Sequence, residues 1–160
     1  MIDSNILKIK NFKLSNVSRE TLEELKDYSK AIISKNKSIN LISKSTEKSI
    51  NSRHISDSAQ TIDFIDKKDI KICTDLGSGA GLPGIVLGIL MKSKNPLFKV
   101  IFYERSYHKS NFINEMSKKF NLNSEIHKKN IFDEKNLKTD VIISRAFKPL
   151  PIIFQIAQTN

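Results

Sequence analysis

The residues best placed for chemistry stand together as Asp75-Leu76-Gly77-Ser78-Gly79-Ala80-Gly81-Leu82-Pro83-Gly84. Glycines let a backbone approach a ligand closely and adopt positive φ. A carboxylate beside such a turn, Asp75, suits a ligand with a positive ammonium or sulfonium group. The apolar run before the turn reads as a strand, and the next strand ends at Glu104. In nucleoside-binding sheets an acid at that place accepts hydrogen bonds from ribose hydroxyls. Asp75, Gly77, Gly79 and Glu104 are therefore candidate ligand residues for a nucleoside derivative.

Two frames compete within the turn. Gly79-Ala80-Gly81-Leu82-Pro83-Gly84 fits G-x-G-x-x-G, the dinucleotide fingerprint, and Glu104 lies about 20 residues beyond it. The strand, however, ends at Gly77, so the tight-turn glycine is Gly77. Counted from there, the third fingerprint position is Leu82, which breaks the pattern. Asp75 also sits poorly beside a pyrophosphate. The frame starting at Gly77 favours S-adenosylmethionine; the other favours a dinucleotide; a purely structural turn is the third reading.

These residues need a scaffold. Ser18 is a plausible N-cap for a first helix, with Glu20 and Glu23 in its opening turn and Leu22, Leu25, Ile32 and Ile33 near one face. Asn40 to Ser43 breaks the period, and Ser45 can cap a short second helix. Arg53 to Ile65 reads as a third helix through Ile55, Ala59, Ile62 and Ile65. From residue 70 the pattern alternates. Strands are expected over 70–76, 98–103, 125–127 and 140–144, and helices over 83–91, 110–120 and from 150 to 157. Such alternation implies an α/β fold, a mainly parallel sheet with helices on both faces. The division expected is a helical N-terminal region, 1–66, and a ligand-binding core, 67–160. Four strands make a small doubly wound sheet, so either the domain is minimal or the core is incomplete at its C-terminal end.

Bulk properties narrow the setting. The chain has 160 residues, of which 27 are basic and 17 acidic, giving a net charge of +10. That excess favours polyanionic partners such as nucleic acid, although a Lys-, Asn- and Ile-rich composition accounts for it equally well. Lys8-Ile9-Lys10 and Lys128-Lys129 read as phosphate contacts or as a solvated face. No apolar run is long enough to span a bilayer, and the N-terminus lacks the apolar stretch of a secretory signal. The single cysteine, Cys73, sits in a strand-like run, which excludes a disulfide framework and a cysteine-built metal site. A reducing, cytoplasmic setting follows.

The glycine turn resembles motif I of class I methyltransferases, and its Leu82-Pro83-Gly84 tail narrows the resemblance. Upstream stand Asn40-Leu41 and Arg53-His54-Ile55-Ser56-Asp57-Ser58; downstream stands Ile143-Ser144-Arg145-Ala146-Phe147. This order is similar to the small-subunit ribosomal RNA methyltransferases that act on guanine N7, the glucose-inhibited division protein B family, over roughly residues 20 to 150. The resemblance implies a Rossmann-like class I fold, S-adenosylmethionine as donor, and one guanine of 16S ribosomal RNA, naked or in the small subunit, as acceptor. It implies that Gly77 and Leu82 line the methionine and ribose side, that Glu104 takes the ribose, and that Asn130 and Ile131 contact adenine. Where the family often has an acid after an Arg and a small residue, this chain has Lys129-Asn130-Ile131, which leaves the backbone there as the implied contact. Arg145 is implied to face both cofactor and target base, and is the candidate catalytic residue.

Other residues have a functional and a packing reading. Arg53 and His54, with Asp57 on the His54 face, shape the rim or hold RNA phosphate, or else form a hydrogen-bonded packing cluster. Tyr103, Tyr107 and His108 stack on adenine or pack at the rim. No metal site is expected, since nothing supplies further ligands. A monomer is expected. Two further functions stay open: a dinucleotide-dependent oxidoreductase, and a non-catalytic basic RNA-binding module.

Overall fold

The computed structural model describes residues 17–65 and 69–159. Lys8-Ile9-Lys10 and the expected domain boundary at residue 66 lie outside the described residues. Helix α1, Arg19–Asn36, starts as expected at Ser18, whose side chain accepts the Thr21 N–H at 3.1 Å. Its buried face carries Leu25, Tyr28 and Ile32 together with Asn36. Leu22 and Ile33 flank that face and are only half-buried. A 3-10 turn, Lys44–Ser49, follows its cap position, Ser43; that cap therefore lies two residues before the one expected at Ser45. The single helix expected over 53–65 is divided into a π-type turn, Asn51–Ser56, and two short helices, α2 (Asp57–Ala59) and α3 (Ile62–Ile65). Thr61 explains the division, because its hydroxyl donates back to the Ser58 carbonyl at 2.7 Å. Such local bonds compete with the helical ladder. Ile55, Ala59, Ile62 and Ile65 are nonetheless all buried, as their spacing requires.

The remaining elements are β1 (Ile72–Leu76), α4 (Gly84–Met91), β2 (Lys99–Tyr103), α5 (Tyr107–Lys119), β3 (Ser124–His127), β4 (Val141–Ser144) and α6 (Leu150–Thr159). The four strands form one parallel sheet in the order β3-β2-β1-β4. The chain runs outward from β1 to β3, then returns across β1 to add β4. That reversal makes the end of β1 the topological switch point, where open α/β sheets bind ligands.

Side-chain alternation sorts the sheet into two faces. Cys73, Val100, Phe102 and Ile143 join a core with Leu25, Tyr28, Ile32 and the apolar residues of α4 and α5. Leu76, Tyr103 and Ile142 belong to a smaller core on the other face, with Ile131, Leu137 and Ile156 of α6. Helix α4 is buried at every position, between the sheet and the N-terminal helices, which is why its sequence is apolar all round. Burying each of its Ile and Leu side chains contributes about 2 kcal/mol. The helical N-terminal region and the sheet thus share one core. Cys73 is a core residue whose thiol burial pushes well above its ordinary range.

Candidate active site

Register brings the strand ends level. Leu76 pairs with Tyr103 on one side and with Ser144 on the other. The next residue on each strand is Gly77, Glu104 and Arg145 respectively, so three residues singled out from separate motifs emerge side by side. They line one cleft of about 610 Å³, with Gly79, Leu82, His54, Asn130 and Ile131 also in its wall.

The glycine turn is shaped from several directions. Gly77 has φ +65°, and a Cβ there would stand 2.1 Å from Cδ2 of Phe147. Phe147 belongs to the segment after β4, so this glycine is required by backbone shape and by a close neighbour. Glu104 ties the turn to the β2 end: Oε2 accepts the Gly79 N–H at 2.8 Å, and Oε1 accepts the Ser106 N–H at 2.7 Å. A carboxylate offers about four lone-pair directions, so two remain for hydroxyls of a ligand. From below, the Tyr28 hydroxyl donates to the Ala80 carbonyl at 2.7 Å. Tyr28 is fully buried, and neither its role nor that of Asn36 was foreseen from the sequence. The Asn36 carboxamide accepts the Leu41 and Ile42 N–H groups at 2.8 and 3.0 Å and donates to the Ile42 carbonyl and Glu47. It folds the Leu41–Ser43 loop that forms part of the cleft wall. A polar residue inside an apolar helical face was the available signal.

Asp75 does not line the cleft. It shares the parity of Cys73, so it points toward α4 rather than toward the mouth. Its Oδ2 accepts the Gly84 N–H at 2.9 Å at the start of α4, and its Oδ1 is buried with no hydrogen-bond partner. Burial pushes this carboxyl up to about 7; the Gly84 bond opposes the rise, and Glu104 adds to it.

Arg145 is the point where two distant motifs meet. Its Nη1 donates to the Arg53 carbonyl and to Asp57 Oδ2, each at 3.3 Å, and its Nη2 donates to Nδ1 of His54. Arg53 therefore serves through its backbone, while its side chain is exposed. Ala146, the next residue, has φ +52°, a conformation costly for alanine that turns the chain back over Gly77.

The opposite wall is Tyr103, Lys129, Asn130, Ile131 and Phe132. The Tyr103 ring stacks on His127, with centroids 4.8 Å apart, and its hydroxyl donates to Glu134 at 2.9 Å. Burial, and then that bond, push the phenol well above its ordinary range. Lys129 pairs with Glu134 at 2.6 Å. Asn130 caps the short turn Ile131–Asp133, and Ile131 is buried. Tyr107 and His108 are exposed and lie outside the cleft wall. Among the described residues no group of His, Cys, Asp and Glu could hold a metal ion.

A four-stranded parallel sheet with helices on both faces, a glycine turn at the switch point and an acid after the second strand define a class I S-adenosylmethionine-dependent methyltransferase fold. The chain superposes on the O-methyltransferase from Bacillus cereus with a TM-score of 0.59 and 19% identity, covering 91% of this chain and 64% of that one. That likeness concerns the fold. The particular family follows from sequence: residues 21–159 match the model of rRNA small subunit methyltransferase G (GidB), and the chain belongs to this family. It is 45% identical to ribosomal RNA small subunit methyltransferase G of Pelagibacter ubique, over 94% of this chain and 73% of that protein. The protein of the same name from Cereibacter sphaeroides is 37% identical, over 89% and 68% respectively. No helix among the described residues is long and apolar enough to cross a membrane.

Proposed function

We propose that this chain transfers a methyl group from S-adenosylmethionine to N7 of a guanine in 16S ribosomal RNA. One observation carries the reading: three level strand ends deliver Gly77, Glu104 and Arg145 to a single cleft at the switch point.

The cleft fits the donor. Glu104 keeps two acceptor directions for a ribose diol, Leu82 and Ile131 give apolar walls, and the backbone at Asn130 and Ile131 can meet adenine. When bound, S-adenosylmethionine supplies an electrophilic methyl group on a sulfonium. Asp75 acts from beneath, through Gly84, as a support of the turn. Its bond to the Gly84 N–H occupies a donor that a pyrophosphate at this helix start would need, which weighs against a dinucleotide.

Guanine N7 carries a lone pair and no proton, so its attack needs no general base. The work left for the protein is positioning and electrostatics. Arg145 has five N–H donors, three of them engaged with Arg53, His54 and Asp57. Two remain for the base or its phosphate. Because N7 must stay free to react, the base contact falls on O6 rather than on the O6 and N7 pair. Arg105, Lys109, Lys129 and Lys148 add positive charge around the cleft and suit an RNA strand. The reading carries with it a monomer acting in the cytoplasm, where ribosomal subunits are assembled.

The test is transfer of tritiated methyl groups to small ribosomal subunits, or to naked 16S RNA, lacking the modification. Label on one guanine is expected. A folded chain that binds the cofactor and transfers nothing would mark a non-catalytic RNA-binding module. Calorimetry with NAD and with S-adenosylmethionine separates the dinucleotide reading directly.

A further inference from the structure

We infer that Thr46 is a positioning residue for methyl transfer, acting through His54 to fix the guanidinium of Arg145 at the cleft; this rests on the reading of Arg145 as the residue that meets the target base. The argument is one of donors and acceptors. A guanidinium only donates, so the His54 Nδ1 facing Arg145 must carry a lone pair. The ring is then neutral and its proton sits on Nε2. Nε2 lies 2.8 Å from Oγ1 of Thr46, which must accept. The Thr46 hydroxyl spends its own proton on the Ser43 carbonyl, at 2.8 Å. Each link has one allowed direction: Arg145 to His54, His54 to Thr46, Thr46 to Ser43.

Surroundings reinforce that order. The His54 ring is buried, and burial followed by the charge of Arg145 hold its imidazole below the ordinary histidine range. Arg53 acts in the same sense and Asp57 against it. His54 and Ser43 both line the cleft. A long, flexible arginine side chain loses much rotamer freedom when it is held. The brace removes that freedom before substrate arrives, and it decides where the two unused N–H donors sit.

The test uses the 160-residue chain with Thr46→Val, Thr46→Ser, His54→Asn and the double variant Thr46→Val with His54→Asn. Three quantities are measured: kcat on unmodified subunits, cofactor affinity, and the His54 ring N–H resonance in the ligand-free chain. Thr46→Val should lower kcat about 10-fold, as a misplaced catalytic group does, and leave cofactor affinity within about twofold. The ring N–H resonance, sharp in the parent chain, should vanish into solvent exchange. Thr46→Ser should restore both. His54→Asn keeps an acceptor for Arg145 but ends the link, so adding Thr46→Val to it should cost nothing more. Unchanged kcat in Thr46→Val overturns the proposal, and so does a fall in kcat with the ring resonance intact. If the parent chain transfers no methyl group, the proposed function fails instead, and the resonance in Thr46→Val decides the brace by itself.

Discussion

The guanidinium of Arg145 donates to the imidazole of His54 across 91 residues of sequence, joining the end of β4 to the π-type turn of the N-terminal region. Neither segment shapes the cleft alone. The contact makes the helical N-terminal region part of the site rather than an appendage, and it holds one arginine in a fixed place at the cleft.

Arg145 should therefore resist even conservative change. Arg145→Lys keeps the charge but loses the planar fork that reaches Arg53, His54 and Asp57 together. Both Arg145→Lys and Arg145→Ala should lower kcat by on the order of 10²-fold, the usual loss for one electrostatic donor. Cofactor affinity should move far less. Single-turnover methyl transfer beside calorimetry tells the two apart; equal losses in both would remove Arg145 from the chemical step.

Gly77 meets two separate obstacles to a side chain. Positive φ costs an L-residue about 1–2 kcal/mol, and a Cβ would collide with Phe147. Gly77→Ala should destabilise the chain and weaken cofactor binding at least about 10-fold. Adding Phe147→Ala should recover the steric part and leave the backbone part. Thermal unfolding and calorimetry of the single and double variants measure each; unchanged affinity in Gly77→Ala would remove the turn from the site.

The buried Asp75 carboxyl makes folding depend on pH in an unusual direction. Its carboxyl is pushed from the ordinary value of 3.8 up to about 7 in the folded chain. The folded state thus holds the proton more tightly than the unfolded state. Its contribution to stability is full below about pH 4 and is lost as pH rises toward about 7, a change of about 4 kcal/mol at most. Asp75→Asn keeps an oxygen for the Gly84 N–H and removes the titration. Urea unfolding between pH 4 and 8 should show the variant gaining on the parent chain up to about pH 7 and then running level. A constant difference across that range would contradict this.

Tyr28 offers a cleaner test of how the turn is held. Tyr28→Phe removes one hydroxyl and leaves the Ala80 carbonyl without that donor. The loss expected is about 1–3 kcal/mol of stability, the cost of an unsatisfied buried group. Cofactor affinity should weaken as the turn loosens. A variant as stable as the parent chain would show that the turn holds its shape without α1.

Much of this protein was legible in its sequence because much of it is local. Period-two and helical patterns fixed four strands and their helices, and Ser18 marked the start of α1 to the residue. The glycine turn and Glu104 stood out because a strand end is visible in one stretch of chain, whereas Arg145 stood out through the family resemblance of its Ser144-Arg145-Ala146 motif. Local pattern did not reveal that Thr61 would break the expected third helix, since a single hydroxyl choosing the Ser58 carbonyl decides it. Nor did it tell which way Asp75 points. Once the register set the parity of β1, the carboxylate went to α4 and not to the ligand. The pairing of Arg145 with His54 and the Tyr28 bond to Ala80 belong wholly to the tertiary structure. They join residues from elements that only sheet order and helix packing bring together, and a hydrogen bond between such groups leaves no period in the sequence by which to find it.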